Sequence, residues 1–350
     1  MRVVSAAVVG ISLLTLVPGI SGGSETYARE LVRALGLVGE LEYRVFLPSI
    51  AVDVDGLPAE VVPEYRASRS TPGRVAAMSL AAAWRRPFER RFRGLDALHF
   101  PLSVMLPPVS EPPAVTSVLD VQHEFLPEFF PRPEVAYRKI VYLRTVRRSR
   151  LVITISEHAA GTIRERLAVP RTKLRPIHLG IDHGRFRPGP EEREDFLLYP
   201  ARPWPHKNHA GLFEALELLP GKRLVLTGYE GPVPERVESL GRVSLDELAS
   251  LYRRAAALVF PSLYEGFGQP PLEAMACGCP VACSNRTALP EVVGDAARLF
   301  DPESPEAIAE AVRDVLAAPE EWREKGLARA ATFTWESTAR AHEDVYRELL

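Results

Sequence analysis

The stretch FPSLYEGFGQPPLEAMACGCPVACSN, residues 260–285, decides the reading of this chain, because it sets two carboxylates, Glu265 and Glu273, around a glycine loop that opens into a helix. ALVFPS reads as a short buried strand and YEGFG as a turn whose glycines leave amide N–H groups uncovered. QPPLEAMAC reads as a helix start with its prolines in the first turn, where no N–H is needed. The positive end of that helix faces the loop, an arrangement suited to a phosphorylated sugar. Glu273 falls in the first helical turns, where a carboxylate can accept from neighbouring hydroxyls. Glu265 stays on the loop and can point into a cleft. The competing reading is a strand, a turn and a capped helix, with Glu273 merely complementing the helix dipole.

The spacing of the two glutamates, with GFG and PLEAMACGCPV between and after them, resembles the signature of the retaining glycosyltransferases of family 4 (glycosyl transferases group 1). These are enzymes of GT-B architecture that use nucleotide-sugar donors. The resemblance extends over most of the chain. It implies an α/β protein of two Rossmann-like, doubly wound domains facing a central cleft. It places Glu265 by the donor sugar, Glu273 on the ribose hydroxyls, and the backbone of Gly266, Phe267 and Gly268 against sugar and phosphate. It also implies a nucleoside-diphosphate sugar as co-substrate, with neither metal nor further cofactor.

Length and composition agree. A chain of 350 residues suits two α/β domains, and 46% hydrophobic with 25% charged residues is globular composition. A formal net charge of −2 gives no electrostatic case for a nucleic-acid partner. Cys277, Cys279 and Cys283 have the spacing of neither a disulfide framework nor a zinc site, so they read as small buried hydrophobes, and a cytoplasmic setting fits. The apolar run MRVVSAAVVGISLLTLVPGI could pass for a signal peptide. Pro18 breaks it before it could span a bilayer, and the buried first strand of a parallel sheet reads the same way.

After that strand comes PGISGGSETYARELVRALG, residues 18–36, in which Gly22 and Gly23 precede Ser24, a good N-cap, and Tyr27, Leu31, Val32 and Leu35 recur at helical spacing. Strand, glycine turn and helix make a site for an anionic group, without the spacing of a dinucleotide fingerprint. The resemblance brings this loop to the donor phosphate or the acceptor; a tight turn alone is the other reading.

Alternating strands and helices continue through the chain, as in doubly wound sheets. Strands are expected at EYRVFL, DALHF, AVTSV, LVITI, FLLYP, RLVLTG, ALVFP and PVACS. Helices are expected over 73–93 and 134–148, and from Glu157, Lys207, Leu245, Gln269 and Pro305 onward. DHGRFRPGPEERED, residues 182–195, marks the boundary. The expected division is therefore 1–185 for an acceptor-binding domain, 195–334 for a nucleotide-sugar domain, and 335–350 for a helix crossing back to the first.

YPARPWPHKNHAGLFEAL, residues 199–216, places Arg202 and Lys207 just past a strand end, where two cations can converge on one diphosphate. Charge builds on the bridging oxygen as a glycosidic bond breaks, and fixed cations stabilise it. The resemblance assigns that work to these two residues, and their removal is expected to lower turnover while leaving thermal stability nearly unchanged. Asp53 and Asp55 form a D-x-D, a metal-holding pattern in the other glycosyltransferase architecture, but they fall in a loop where aspartates ordinarily serve turns.

AVTSVLDVQHEFLPEFF, residues 114–130, resembles the family segment in which a histidine precedes the aspartate. Leu119 stands in that place, while Asp120, Gln122 and His123 remain as acceptor-side candidates, His123 also as a substitute for the catalytic-centre histidine. The segment leans toward the mannosyl- and rhamnosyltransferase branch. Arg138, Lys139 and the cluster 144–150 read as a solvated helix face or as contacts for an anionic acceptor or membrane headgroups. The expected partners are a donor nucleotide sugar and a glycan, lipid-linked or small-molecule acceptor, with peripheral contact at the inner face of a membrane. Another GT-B sugar-nucleotide enzyme such as an epimerase, or a non-catalytic sugar-nucleotide-binding subunit, remains the alternative.

Overall fold

The computed structural model describes residues 7–19, 22–51 and 53–350. The first six residues of the apolar amino-terminal run, and Ile20 and Ser21 of the glycine loop, lie outside the described residues. In chain order the first part contains β1 (Val8–Ser12), α1 (Gly23–Val38), β2 (Glu42–Pro48), β3 (Ala59–Val62), α2 (Thr71–Ala83), α3 (Arg86–Arg91), β4 (Ala97–Phe100), β5 (Ala114–Ser117), α4 (Gln122–Phe125), α5 (Arg132–Arg148), β6 (Leu151–Thr154), α6 (Glu157–Leu167) and β7 (Leu174–Pro176). It continues with β8 (Glu194–Pro200), α7 (His209–Glu217), β9 (Arg223–Thr227), β10 (Val237–Ser239), α8 (Leu245–Arg254), β11 (Ala255–Phe260), α9 (Gln269–Ala276), β12 (Val281–Ser284), α10 (Leu289–Val293), β13 (Arg298–Phe300), α11 (Pro305–Ala317), α12 (Pro319–Ala330) and α13 (Trp335–Arg347).

Two compact units result, one of residues 1–178 with 335–350, the other of 179–334. The segment 182–195 belongs to the second unit. The first unit holds a sheet of order β3-β2-β1-β4-β5-β6-β7, the second one of order β10-β9-β8-β11-β12-β13, and all these pairings are parallel. Each is an α/β, Rossmann-like sheet whose strand order reverses once, between β1 and β4 and between β8 and β11. In such sheets ligands bind beyond the carboxyl ends of the strands at that reversal.

The central strands are apolar on both faces because helices cover both: LVIT of β6 and ALVF within β11 are buried. The strands not expected from sequence, β3, β7, β10 and β13, are the short edge strands of the two sheets, only partly buried and without an unbroken apolar run. The single helix expected over 73–93 is two, α2 and α3, separated at Trp84 and Arg85. Pro87 falls in the first turn of α3, where its missing N–H costs nothing; in a continuous helix it would have no N–H to give the Ala83 carbonyl and its ring would clash with it, so α2 ends at Ala83. The helix expected from Lys207 starts at His209, because Asn208 takes a left-handed conformation (φ 56°) and its side chain caps the Gly211 N–H. Ser24 is not an N-cap: α1 begins at Gly23, with Gly22 at φ 55° as the cap residue and no side-chain cap bond. All three cysteines are free and buried, as small hydrophobes.

In the first unit, α13 packs on α1 through a closed polar network. His342 Nδ1 lies 2.7 Å from the Thr338 carbonyl and must donate to it, so its Nε2 accepts from the Tyr27 hydroxyl at 2.8 Å. Tyr27 and His99 both meet Ser117 Oγ, at 2.6 and 2.8 Å, and His99 Nδ1 meets the Tyr346 hydroxyl at 2.8 Å. Every member is buried and partnered, which favours one packing of α13 over alternatives. No described helix is long and apolar enough to cross a membrane.

Candidate active site

In the second unit, β8 and β11 are neighbours at the reversal point, and the loops leaving their carboxyl ends carry the residues singled out from sequence. The loop after β8 holds Arg202 and Lys207; the loop after β11 holds Glu265. Lys207 Nζ lies 2.5 Å from Glu265 Oε1, with side chains 13% and 15% exposed. The ammonium also sits 5.6 Å from the centre of the Phe260 ring. Tyr199, buried on β8, donates its hydroxyl proton to the Lys207 carbonyl at 2.7 Å, and the Leu263 N–H donates to the His206 carbonyl at 2.8 Å, so the two loops are stitched by backbone as well. The Glu265 N–H donates to Thr287 Oγ1 at 3.0 Å. Arg202 stacks its guanidinium 5.5 Å from the Trp204 ring centre.

Two histidines accompany these cations without adding charge at neutral pH. Burial, then the charge of Lys207, pushes the His206 pKa down to about 4, and burial does the same for His209. Lys207 is held by a mostly buried carboxylate, so its removal, unlike that of Arg202, is expected to cost stability. An unpaired, largely desolvated Glu265 would remain behind.

Gly268 is the cap residue of α9 at φ 143°, and a Cβ there would lie 3.0 Å from Leu289 Cδ2, so only glycine suits the turn. Pro270 and Pro271 carry no N–H and the Leu272 N–H reaches back to the Gly268 carbonyl at 3.4 Å, which leaves Gln269 to present the first amide of the helix. Phe267 turns its ring inward against Phe333, 6.0 Å between centres, so only its backbone serves the loop. Glu273 is 9% exposed and accepts a hydrogen bond from the Tyr252 hydroxyl at 3.2 Å. Burial pushes its pKa up to about 7, against the opposing effects of the Tyr252 bond and of Arg185.

In the first unit, Asp120 and Gln122 follow the carboxyl end of β5, and Asp120 Oδ1 accepts the Gln122 N–H at 3.1 Å, opening α4. His123 is fully buried, edge-on to Tyr142 at 5.1 Å. Burial, then the charge of Arg138, pushes its pKa down to about 4. In this arrangement its ring faces the core and not solvent, and Leu119 is buried as well. Gly22 and Gly23 begin α1 with open space where a Cβ would stand. Asp53 lies in the loop between β2 and β3, where its carboxylate accepts the neighbouring Val54 N–H at 2.7 Å, a turn contact.

Two family profiles match the chain: "Glycosyl transferases group 1" over residues 181–326 and "Glycosyltransferase Family 4" over residues 21–185. The O-antigen chain mannosyltransferase B of Escherichia coli is 33% identical over 269 residues, 67% of this chain and 70% of that protein. The chain belongs to glycosyltransferase family 4. Solved structures agree on the fold of this glycosyltransferase: the sucrose-phosphate synthase of Thermosynechococcus elongatus superimposes with a TM-score of 0.78 at 20% identity, over 98% of this chain and 99% of that one. HepE of Anabaena in complex with UDP does so with a TM-score of 0.71 at 15% identity, over 98% and 100%. The architecture is GT-B.

Three residues of the family 4 enzyme that sequence reading did not find stand beside the chosen ones. Tyr252 on α8 bonds Glu273, Thr287 bonds the Glu265 backbone, and Arg185, in the segment read as a boundary, brings its charge to bear on Glu273. Each acts across 21 or more residues of sequence, and none lies in a local motif that could have pointed to it.

Proposed function

We propose that this chain is a retaining, metal-independent hexosyltransferase that moves a mannose- or rhamnose-type sugar from a nucleoside diphosphate to an acceptor hydroxyl. The observation that carries the reading is the Lys207–Glu265 pair at the point where β8 and β11 diverge, beside the Gly266–Gly268 turn that opens α9. Arg202 and Lys207 hold the diphosphate, and their charge offsets what develops on the leaving oxygen, the task a metal would otherwise perform. Glu265, positioned by Lys207, stands at the sugar, and Glu273 accepts from the ribose hydroxyls. Gly22 and Gly23, with open space beside their α-carbons, are assigned to the donor phosphate.

In the step envisaged, the acceptor oxygen bonds to the anomeric carbon on the face from which the diphosphate departs. The carbon–oxygen bond to phosphate breaks, and the acceptor proton passes to the departing phosphate oxygen. Asp120 and Gln122 serve the acceptor side. His123, enclosed against Tyr142, acts by positioning α4. The O-antigen mannosyltransferase relative supports the sugar, and the UDP-bound fold relative supports a nucleotide donor. A glycan or lipid-linked acceptor fits a peripheral place at the inner face of a membrane. Leu80 and Trp84, 70% and 66% exposed beside the arginines of α3, support such contact.

The experiment is a thermal-shift screen of nucleotide sugars with the purified chain, followed by transfer to a mannosylated acceptor and analysis of the anomeric configuration. Stabilisation by a nucleoside-diphosphate hexose, with transfer that keeps the donor's anomeric configuration, supports the reading. Binding without turnover sinks it in favour of a non-catalytic subunit, and conversion of the sugar itself in favour of an epimerase.

A further inference from the structure

The sheet of the first unit has a second feature at its opposite end. Asp120 and Gln122 follow the carboxyl end of β5, but an open cavity of about 850 Å³ lies at the amino-terminal ends of β5, β6 and β7, lined by Arg147, Arg148, Arg150 and Lys173, with Glu111 as the carboxylate of the described lining. Its size falls within the range of small-molecule sites. Apolar wall is supplied by Val109, Leu151 and Leu349.

Two observations say that these cations are not merely structural. The first is pairing. Some arginines of this unit reach carboxylates, as Arg91 reaches Glu60 and Glu64, Arg138 Glu134, Arg171 Glu157 and Arg175 Glu348, while others that line no shared cavity, such as Arg86, Arg90 and Arg144, pair with none among the described residues. Among the described residues, Arg147, Arg148 and Arg150 form no ion pair, although they stand almost consecutively in the chain. The second is the helix end. Arg147 and Arg148 close α5, where cations suit the dipole, but the carbonyls there are already bonded by Lys173, whose Nζ donates to Val146 at 2.8 Å and to Arg147 at 3.3 Å. The guanidinium groups are not needed for capping and remain available. Burial and the nearby Arg150 lower the Lys173 pKa, as like charges held together do.

Guanidinium groups in such a cluster match phosphate oxygens, which they bind through paired N–H donors. We propose that this cavity is an anion site, separate from the donor residues of the second unit, that binds a phosphate-bearing group of two or more negative charges. The donor and acceptor roles proposed above do not include it, and it stands whether or not the transferase reading holds.

The test uses the full chain and inorganic pyrophosphate, with an Arg147→Gln/Arg150→Gln variant and an Arg147→Lys/Arg150→Lys variant beside it. Both positions are exposed, so the folds should survive, which circular dichroism checks. Calorimetry should show pyrophosphate binding weakened roughly tenfold or more by glutamine, as expected for losing charged hydrogen bonds, with partial recovery by lysine and a steep loss with salt. Hydrogen exchange should place ligand protection at 147–151 and 172–174. A second arm offers vesicles containing phosphatidic acid, whose phosphomonoester headgroup carries up to two negative charges: cosedimentation lost in the glutamine variant, without pyrophosphate binding, assigns the phosphate to a lipid headgroup. If neither probe distinguishes the glutamine variant from the parent, or if protection appears only around 201–208, the proposal is overturned.

Discussion

Lys207 Nζ and Glu265 Oε1 stand 2.5 Å apart, although 58 residues separate them in the chain. The pair joins the loop after β8 to the loop after β11, and both side chains are largely shielded from water. A pair in this setting is more than a surface ion pair, because removing one partner leaves the other desolvated and unmatched.

Arg202→Ala and Lys207→Ala should therefore differ. Each should lower kcat by roughly a hundredfold or more, the usual cost of a lost charge contact in a transition state. Lys207→Ala should also lose about 1–3 kcal/mol of stability, the penalty of an unsatisfied polar group, while Arg202→Ala should be close to neutral. Adding Glu265→Gln to Lys207→Ala should recover much of that stability without restoring turnover. Additive stability losses in the double variant would show that the two side chains are not coupled.

The two glutamates should separate by readout. On the proposed reading Glu273→Ala should weaken free nucleoside diphosphate by about 1–3 kcal/mol, since it would remove acceptors for ribose hydroxyls. Glu265→Ala should keep that affinity and lose transfer, because its proposed contact is with the sugar. Calorimetry beside single-turnover transfer reads both; two variants indistinguishable from the parent in both assays would end the site assignment.

Glu273 also makes a pH prediction. Its folded pKa, about 7, lies above the ordinary carboxyl value of 4.5, so between these values the folded protein holds a proton that the unfolded chain has lost. Stability from this group is then greatest below about pH 4.5 and is lost as pH rises toward and through 7. Glu273→Gln should gain stability relative to the parent as pH increases from about 5 to about 8, with a ceiling of about 3 kcal/mol. Urea midpoints across that range measure it; a constant difference would mean that Glu273 titrates normally.

The α13 network should respond in the opposite sense. Burial lowers the pKa of His342 to about 4 and holds His99 well below its usual value. For such groups the unfolded chain takes up protons first, so their contribution is complete above about pH 6.5 and fades as pH falls toward about 4. A His342→Gln variant, lacking one titrating group, should show a shallower loss of stability over that interval. An unchanged slope would argue that the network does not titrate with unfolding.

Turnover should withstand EDTA, and Asp53→Asn with Asp55→Asn should be close to silent, since Asp53 serves its own turn and Arg202 with Lys207 are the cations proposed for the diphosphate. Loss of activity restored by Mn²⁺ would instead assign the diphosphate to a metal.

Much of the fold was legible because its signals are local. Buried parallel strands such as LVIT and ALVF announce themselves as unbroken apolar runs, and glycine and proline mark the turn at 266–268 and the first turn of α9 whatever lies around them. The strands β3, β7, β10 and β13 were not legible, since they are the edge strands of the two sheets, half exposed, with charged or polar residues or proline in place of an unbroken apolar run. The break at Trp84 and Arg85 hid behind a helical pattern that Pro87 interrupts.

By itself, then, the sequence determined which residue types cluster at strand ends and which loop demands glycine. Only the tertiary structure decided their contacts. It joined Lys207 to Glu265, slid Glu273 under Tyr252 until burial raised its pKa, sealed His123 against Tyr142, and gathered Arg147, Arg148 and Arg150 around one cavity at the amino-terminal end of the first sheet. The reason is topological: a parallel sheet sets beside one another loops that leave strands far apart in sequence, and the distance and dielectric that govern their chemistry exist only once that sheet has formed.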